Sequence, residues 1–285
     1  MINARHHGIP LISLARAAAI IGLLAATGCA HAPGARSQDD TATRLGLARL
    51  AASGGKPAEE LALLGPAAAR DPANIALQAR YASVLAQTGQ NQQALDVALP
   101  AYRRDTTNTG LGLLVGRLYI RQENPAAAAA VYQEVLARDG ASLEAINGLG
   151  IAEVMQRSLP RAEATFRRAI AIAPQDSASR NNLGLALTLE RKTDEAIPML
   201  EALSREDSTA PRVRTNLAMA YAVGGARDKA MALLTPAMDP AEAERTVAAY
   251  AQLDGGPVTS AAGVETRTAQ AALLSVASRT RPPGS

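Results

Sequence analysis

The chain has one cysteine, three histidines, one phenylalanine and no tryptophan in 285 residues, and aromatics make up only 2%. A core without rings has to be built from Ala, Leu, Val and Ile, which favours closely packed helices over a sheet rich in aromatic and β-branched residues. The histidines are His6, His7 and His31, and the cysteine is Cys29. If a leader ends before Cys29, one His and one Cys remain, both at the extreme start. Zinc centres, disulfide frameworks, Cys–His pairs and Ser–His–Asp triads are then excluded by inventory. Lysine is scarce (Lys56, Lys192, Lys229), and no dense basic run exists. Arg5 and Arg16 belong to residues 1–28, which leaves 27 basic against 26 acidic side chains. The basic balance is therefore no nucleic-acid footprint. Nor is there a glycine-rich phosphate cradle. The carboxylate pairs Asp39-Asp40 and Glu59-Glu60 are sequence neighbours that imply no cleft. The sequence predicts no enzyme, no cofactor and no metal.

What is present begins with residues 1–28: a basic start, then an apolar run from Ala17 to Ala26. Ala17 to Ala30 is 14 uncharged residues. As a helix that covers about 21 Å, short of a bilayer core of about 30 Å, so the segment is expected to be a signal peptide rather than an anchor. Ala26-Thr27-Gly28-Cys29 resembles the lipobox of bacterial lipoproteins. That resemblance implies cleavage before Cys29 and acylation of it, and two or three acyl chains bind a membrane far more firmly than one. Ala30 follows the cysteine where an inner-membrane retention signal would have Asp, which by the same resemblance implies an outer-membrane location facing the periplasm. Residues 29–40 are expected to form a flexible tether.

From Thr41 the chain repeats every 34 residues without insertion, in windows starting at Thr41, Ile75, Thr109, Leu143, Ser177 and Pro211. Window position 8 is Ala48, Ala82, Gly116, Gly150, Gly184 and Ala218; position 20 is Glu60, Ala94, Ala128, Ala162, Ala196 and Ala230. Large residues fall beside them at positions 7 and 24, Tyr132 and Phe166 among the latter. Two antiparallel helices approach closely only where one side chain is small, so bulk must alternate with its absence. Gly89 and Gly225 at position 15 mark the turn inside a pair, and Pro72 and Pro174 at position 32 end its second helix. Six windows in register resemble the tetratricopeptide repeat. The resemblance implies an all-α, right-handed solenoid of about six helix pairs over residues 41–253, closed by a helix over Ala241–Leu253. Glu60 at a small-residue position suggests that the first pair is a cap. Residues 254–285 are expected to be mostly disordered, apart from a short helix near Thr268–Ala277.

By the same resemblance, positions 2, 5, 9, 12 and 13 of the first helices face a concave groove. They include Arg117 and Arg121 in window three, and Asn147, Ile151, Val154 and Met155 in window four. Windows five and six add Asn181, Leu185, Thr188 and Leu189, then Thr215, Met219, Ala222 and Val223. So apolar a stripe suits a helical or extended protein segment, with the asparagines bonding its backbone; alternatively the stripe is covered internally, by superhelical closure or by the C-terminal tail. Asn182 and Asn216 read as packing residues, since no lysine joins them in the groove as a carboxylate clamp requires. Finally, Pro211–Ala218, Gly225, Ala230 and Ala241–Glu244 through Tyr250, with Asn181–Leu187 before them, resemble the TadD-type lipoprotein of tight-adherence (Flp) pilus systems. This implies a pilotin-like scaffold that binds a secretin or other pilus-assembly components through the groove and the membrane through its lipid. A type IV pilus secretin pilotin and a periplasmic adaptor for peptidoglycan enzymes are the alternatives.

Overall fold

The structure, a computed structural model, describes residues 33–207 and 210–253. The leader, Cys29 and the tail 254–285 lie outside the described residues. Among those described there are thirteen helices and no strand. They are α1 (Pro33–Ser53), α2 (Pro57–Arg70), α3 (Ile75–Gln87), α4 (Asn91–Arg104), α5 (Thr109–Arg121), α6 (Pro125–Leu136) and α7 (Leu143–Met155). They continue as α8 (Leu159–Ile172), α9 (Ser177–Leu189), α10 (Thr193–Glu206), α11 (Pro211–Val223), α12 (Arg227–Leu234) and α13 (Pro240–Ala251). Each helix packs on the next, and each first helix from α4's predecessor α3 onward also meets the first helix of the following pair. This is an α-solenoid of six helix pairs closed by a thirteenth helix.

Five of the six predicted window starts are the first residues of α3, α5, α7, α9 and α11. The cause lies one residue upstream. Asn74, Asn108, Ser142 and Asp176 each accept a hydrogen bond from the backbone N–H three residues on, satisfying an amide the helix leaves unpaired. Proline opens α2, α6, α11 and α13, where its missing N–H costs nothing.

The first helix departs from expectation. It begins at Pro33, so part of the stretch assigned to a flexible tether is helical. Proline at the first position and the helix formers Ala35, Arg36 and Gln38 after it favour this, although no apolar periodicity announces it. The last pair departs too. Helix α12 stops at Leu234, ahead of Pro236, leaving Ala237 exposed outside the helix.

Burial follows the register. At position 20 every residue from Ala94 to Ala230 is fully buried. At position 8 a Cβ on Gly116, Gly150 or Gly184 would stand 2.6, 2.4 or 2.7 Å from Tyr132, Phe166 or Leu200, the bulky position-24 residue of the same pair. Glu60, the exception at position 20, is buried and bonded to Arg80 Nε at 2.5 Å, which compensates its charge. Glu153 is held likewise by Arg161 (3.0 Å) and the Thr165 hydroxyl (2.7 Å).

The turn inside each pair is made the same way six times. Gly55, Gly89, Glu123, Arg157, Arg191 and Gly225, all at position 15, have φ between 56° and 82°. Only three are glycine, so three side chains occupy the left-handed region at a cost of about 1–2 kcal/mol each. Arg157→Gly is expected to raise stability by about 1 kcal/mol and Gly225→Ala to lower it by a similar amount. Opposite shifts of the urea midpoint would check this; a fall with Arg157→Gly would mean its side chain contributes more than the backbone strain.

Candidate functional site

The N-terminal ends of α7, α9 and α11, with the C-terminal part of α5, surround a cavity of about 550 Å³ on the inner side of the solenoid. Its walls come from positions 1, 2, 5 and 6 of successive first helices: Leu143, Glu144, Asn147 and Gly148; Ser177, Ala178, Asn181 and Asn182; Pro211 and Arg212. Arg117, Ile120, Ile151, Asp176, Ala210 and Val213 complete it, and Tyr132 of α6 forms the floor.

A ladder of amides crosses the site. Asn182 Nδ2 donates to Asn147 Oδ1 (3.2 Å), and Asn216 Nδ2 donates to Asn181 Oδ1 (3.0 Å), one repeat further on. Asn147 Nδ2 in turn donates to Ser179 Oγ at 2.9 Å, and Ser179 Oγ donates to the Asp176 carboxylate. These bonds fix the stagger of one first helix against the next, and they satisfy polar groups that burial would otherwise penalise. They also spend most of the capacity of Asn147, which was expected to bond a partner's backbone. Asn182 and Asn216 are buried and bonded to the asparagines of the preceding repeat, with Asn182 also bordering the cavity.

Arg117 forms an ion pair with Glu144 on the cavity wall. Burial pushes its pKa below the ordinary arginine value, and it also holds the Tyr132 hydroxyl well above the usual tyrosine range. The charges on the wall balance, with Arg117 and Arg212 against Glu144 and Asp176. The site therefore presents apolar surface and hydrogen-bonding edges with no net charge. Lys192 sits elsewhere, in the turn after α9, bonded to Glu163 (2.6 Å) and Glu190 (2.7 Å). Hydrogen bonds to Glu163 and then Glu190 hold its pKa above the ordinary lysine value, the opposite of what a nucleophilic amine needs. Among the described residues no group of three or more His, Cys, Asp or Glu could hold a metal ion, and no helix is long and apolar enough to cross a membrane.

Of the fourteen residues expected in the groove, Arg117, Asn147, Ile151 and Asn181 line the cavity. The other ten do not. Leu185 and Met219 are buried, 4% and 1% exposed, in a core cluster that includes Val247 and Tyr250 of α13. Val154, Thr188, Ala222 and Val223 are buried too. The first helices α9 and α11 touch each other and α13 packs on α11, so the inner stripe of the last two pairs becomes interior. Leu189 and Met155 are partly buried against core clusters. Arg121 points backward, donating to Ala86 O (3.2 Å) and Asn91 Oδ1 (3.0 Å), and so ties α5 to the preceding pair. Thr215 bonds its own helix through the carbonyl of Pro211. Position 2 had been assigned to the groove, and its members Glu144, Ala178 and Arg212 do line the cavity. Position 1 and the floor residue Tyr132 carried no sequence signal for such a role.

Residues 113–177 match the tetratricopeptide repeat family. The whole array is similar to a tetratricopeptide repeat protein from Parabacteroides merdae, with a TM-score of 0.64 and 17% identity, covering 85% of this chain and all of that one. It is also similar to MamA from Desulfovibrio magneticus (TM-score 0.56, 18% identity, 60% of this chain and 98% of that one). A third likeness is to a chain of the APC/C Cut9–Hcn1 hetero-tetramer (TM-score 0.58, 18% identity, 73% of this chain and 42% of that one). No curated protein matches the chain. The fold is that of a tetratricopeptide-repeat solenoid, a scaffold suited to protein–protein interaction.

Proposed function

We propose that the chain is a non-catalytic scaffold of the bacterial outer membrane. Lipid on Cys29 anchors it facing the periplasm, and its inner cavity receives a segment of a pilus-assembly component of the tight-adherence (Flp) type, such as a secretin subunit. The observation that supports this best is the cavity itself. It is about 550 Å³ in volume, apolar with amide edges, balanced in charge, and shared by four successive repeats. Such a site suits an uncharged peptide segment better than a metabolite held by a few ionic contacts. The lipobox Ala26–Cys29 and the resemblance of Pro211–Tyr250 to TadD-type lipoproteins supply the location and the system.

Two variants test the reading in the producing cell. Cys29→Ser is expected to abolish incorporation of a palmitate analogue and to move the protein from the outer-membrane fraction to the soluble fraction. Unchanged labelling would end the lipoprotein assignment. Ala178→Arg places bulk in the cavity from an exposed wall position. It is expected to leave the melting temperature unchanged while abolishing surface pili. Normal piliation together with defective septum or wall hydrolysis would instead favour the peptidoglycan-enzyme adaptor.

A further inference from the structure

We infer that the cavity is occupied, in the absence of a partner, by the chain's own segment Thr268–Ser278, so that partner and tail compete for one site. This rests on the reading of the cavity as a segment-binding site. The described part of the chain ends at Leu253, whose carbonyl accepts a hydrogen bond from Arg191 at 3.3 Å. Arg191 lies two residues past the end of α9, and Asn181 of the cavity wall lies on that helix ten residues before it. At the helical rise the chain therefore leaves the array about 15 Å from the cavity, measured along α9. Residues 254–267 separate that point from the segment, with Gly255, Gly256 and Gly263 among them. Fully extended, those fourteen residues span at most about 50 Å. The connecting residues are therefore long enough to bring the segment to the cavity, where tethering sets its effective concentration.

The chemistry matches as well. Thr268–Ser278 reads TAQAALLSVAS and has no charge, and it holds both leucines of residues 254–285, Leu273 and Leu274. The wall has two cations and two carboxylates, with Arg117 already paired to Glu144 and Asp176 bonded to Ser179. A charged segment would leave one of these pairs frustrated, whereas an uncharged apolar one need not disturb them. Asn181 Oδ1 is taken by Asn216, while its Nδ2 remains on the cavity wall to meet a peptide carbonyl.

The test is a photo-crosslinking amino acid in place of Ala178 in the full chain, with adducts mapped by mass spectrometry. It is run on dilute purified protein and in producing cells, with and without Leu273→Asp/Leu274→Asp. The expected result for purified protein is an intrachain adduct to residues 268–278 that falls at least about tenfold in the double variant. In cells the double variant is expected to show more adducts to a pilus-assembly component. Absence of a tail adduct in purified protein overturns the inference, as does an adduct to a second copy. If cellular adducts to another protein persist in that case, the cavity still binds a segment and only self-occupancy is lost. If no adduct forms in either setting, both readings fall.

Discussion

Replacing Gly148 by alanine is expected to destabilise the array by about 1–3 kcal/mol, although a glycine inside a helix ordinarily costs about 1 kcal/mol relative to alanine. The sign is set by Tyr132. A Cβ at Gly148 would stand 2.3 Å from its Cζ, and on the opposite side of the ring a Cβ at Gly116 would stand 2.6 Å away. The ring is therefore clamped between α5 and α7, the first helices of adjacent pairs, and is 2% exposed. It cannot swing toward solvent, and retreat toward α5 is blocked by the same geometry. Relief must come from separating α6 and α7, which breaks packing on both sides of the repeat junction. The midpoint of urea denaturation measures the effect. Gly148→Ala in a Tyr132→Leu background should cost much less than in the natural chain, because the two residues act through one contact. If Gly148→Ala instead raises the midpoint, as at a solvated helix position, the close approach of α7 to Tyr132 is wrong. Because Tyr132 also floors the cavity, the same substitution should distort the candidate site.

Most of the fold was legible because it is local. The alternation of Gly or Ala at position 8 with Tyr132, Phe166 and Leu200 at position 24 is a contact within one helix pair, so a 34-residue ruler finds it. The caps at Asn74, Asn108, Ser142 and Asp176 belong to the same register, although they became evident only with the bonds in view. Local too, but hidden, was the left-handed turn: glycine flags it at Gly89 and Gly225, while Glu123, Arg157 and Arg191 adopt the same φ without that signal. The misread ends have one cause. No described helix precedes α1, and α12 meets Pro236 although α13 packs against it, so propensity and single prolines decide where α1 begins and α12 stops. The candidate site was legible only in part, because it depends on relations between pairs. Arg117, Asn147, Ile151 and Asn181 lie where the solenoid opens. Leu185 and Met219 occupy equivalent positions where α9, α11 and α13 close upon one another. Periodicity assigns all of them to one stripe, and only the curvature of the assembled array separates wall from interior.

That separation makes the last prediction the most demanding. Met219→Asp is expected to cost about 4 kcal/mol or more, from the lost apolar packing together with a carboxylate left among apolar neighbours. Met219 is 1% exposed within a cluster that includes Leu187, Leu217 and Val247, none of which can accompany a charge. In a linear array each pair is stabilised mainly by its neighbours, so the damage should begin at the closed end. Amides of α9 to α13 should lose hydrogen-exchange protection first, while those of α3 to α6 retain it. Ala178→Arg provides the contrast. It adds a larger and equally charged side chain only one repeat away, but on an exposed wall position, and should leave protection unchanged throughout. If Met219→Asp left exchange untouched, the inner stripe of the last two pairs would have to be open to water. The binding surface would then extend along the whole first-helix row instead of lying at the N-terminal ends of α7, α9 and α11. Loss of protection confined to the closed end, with binding retained at Ala178's neighbours, would show that stability and recognition reside on different positions of the same helices.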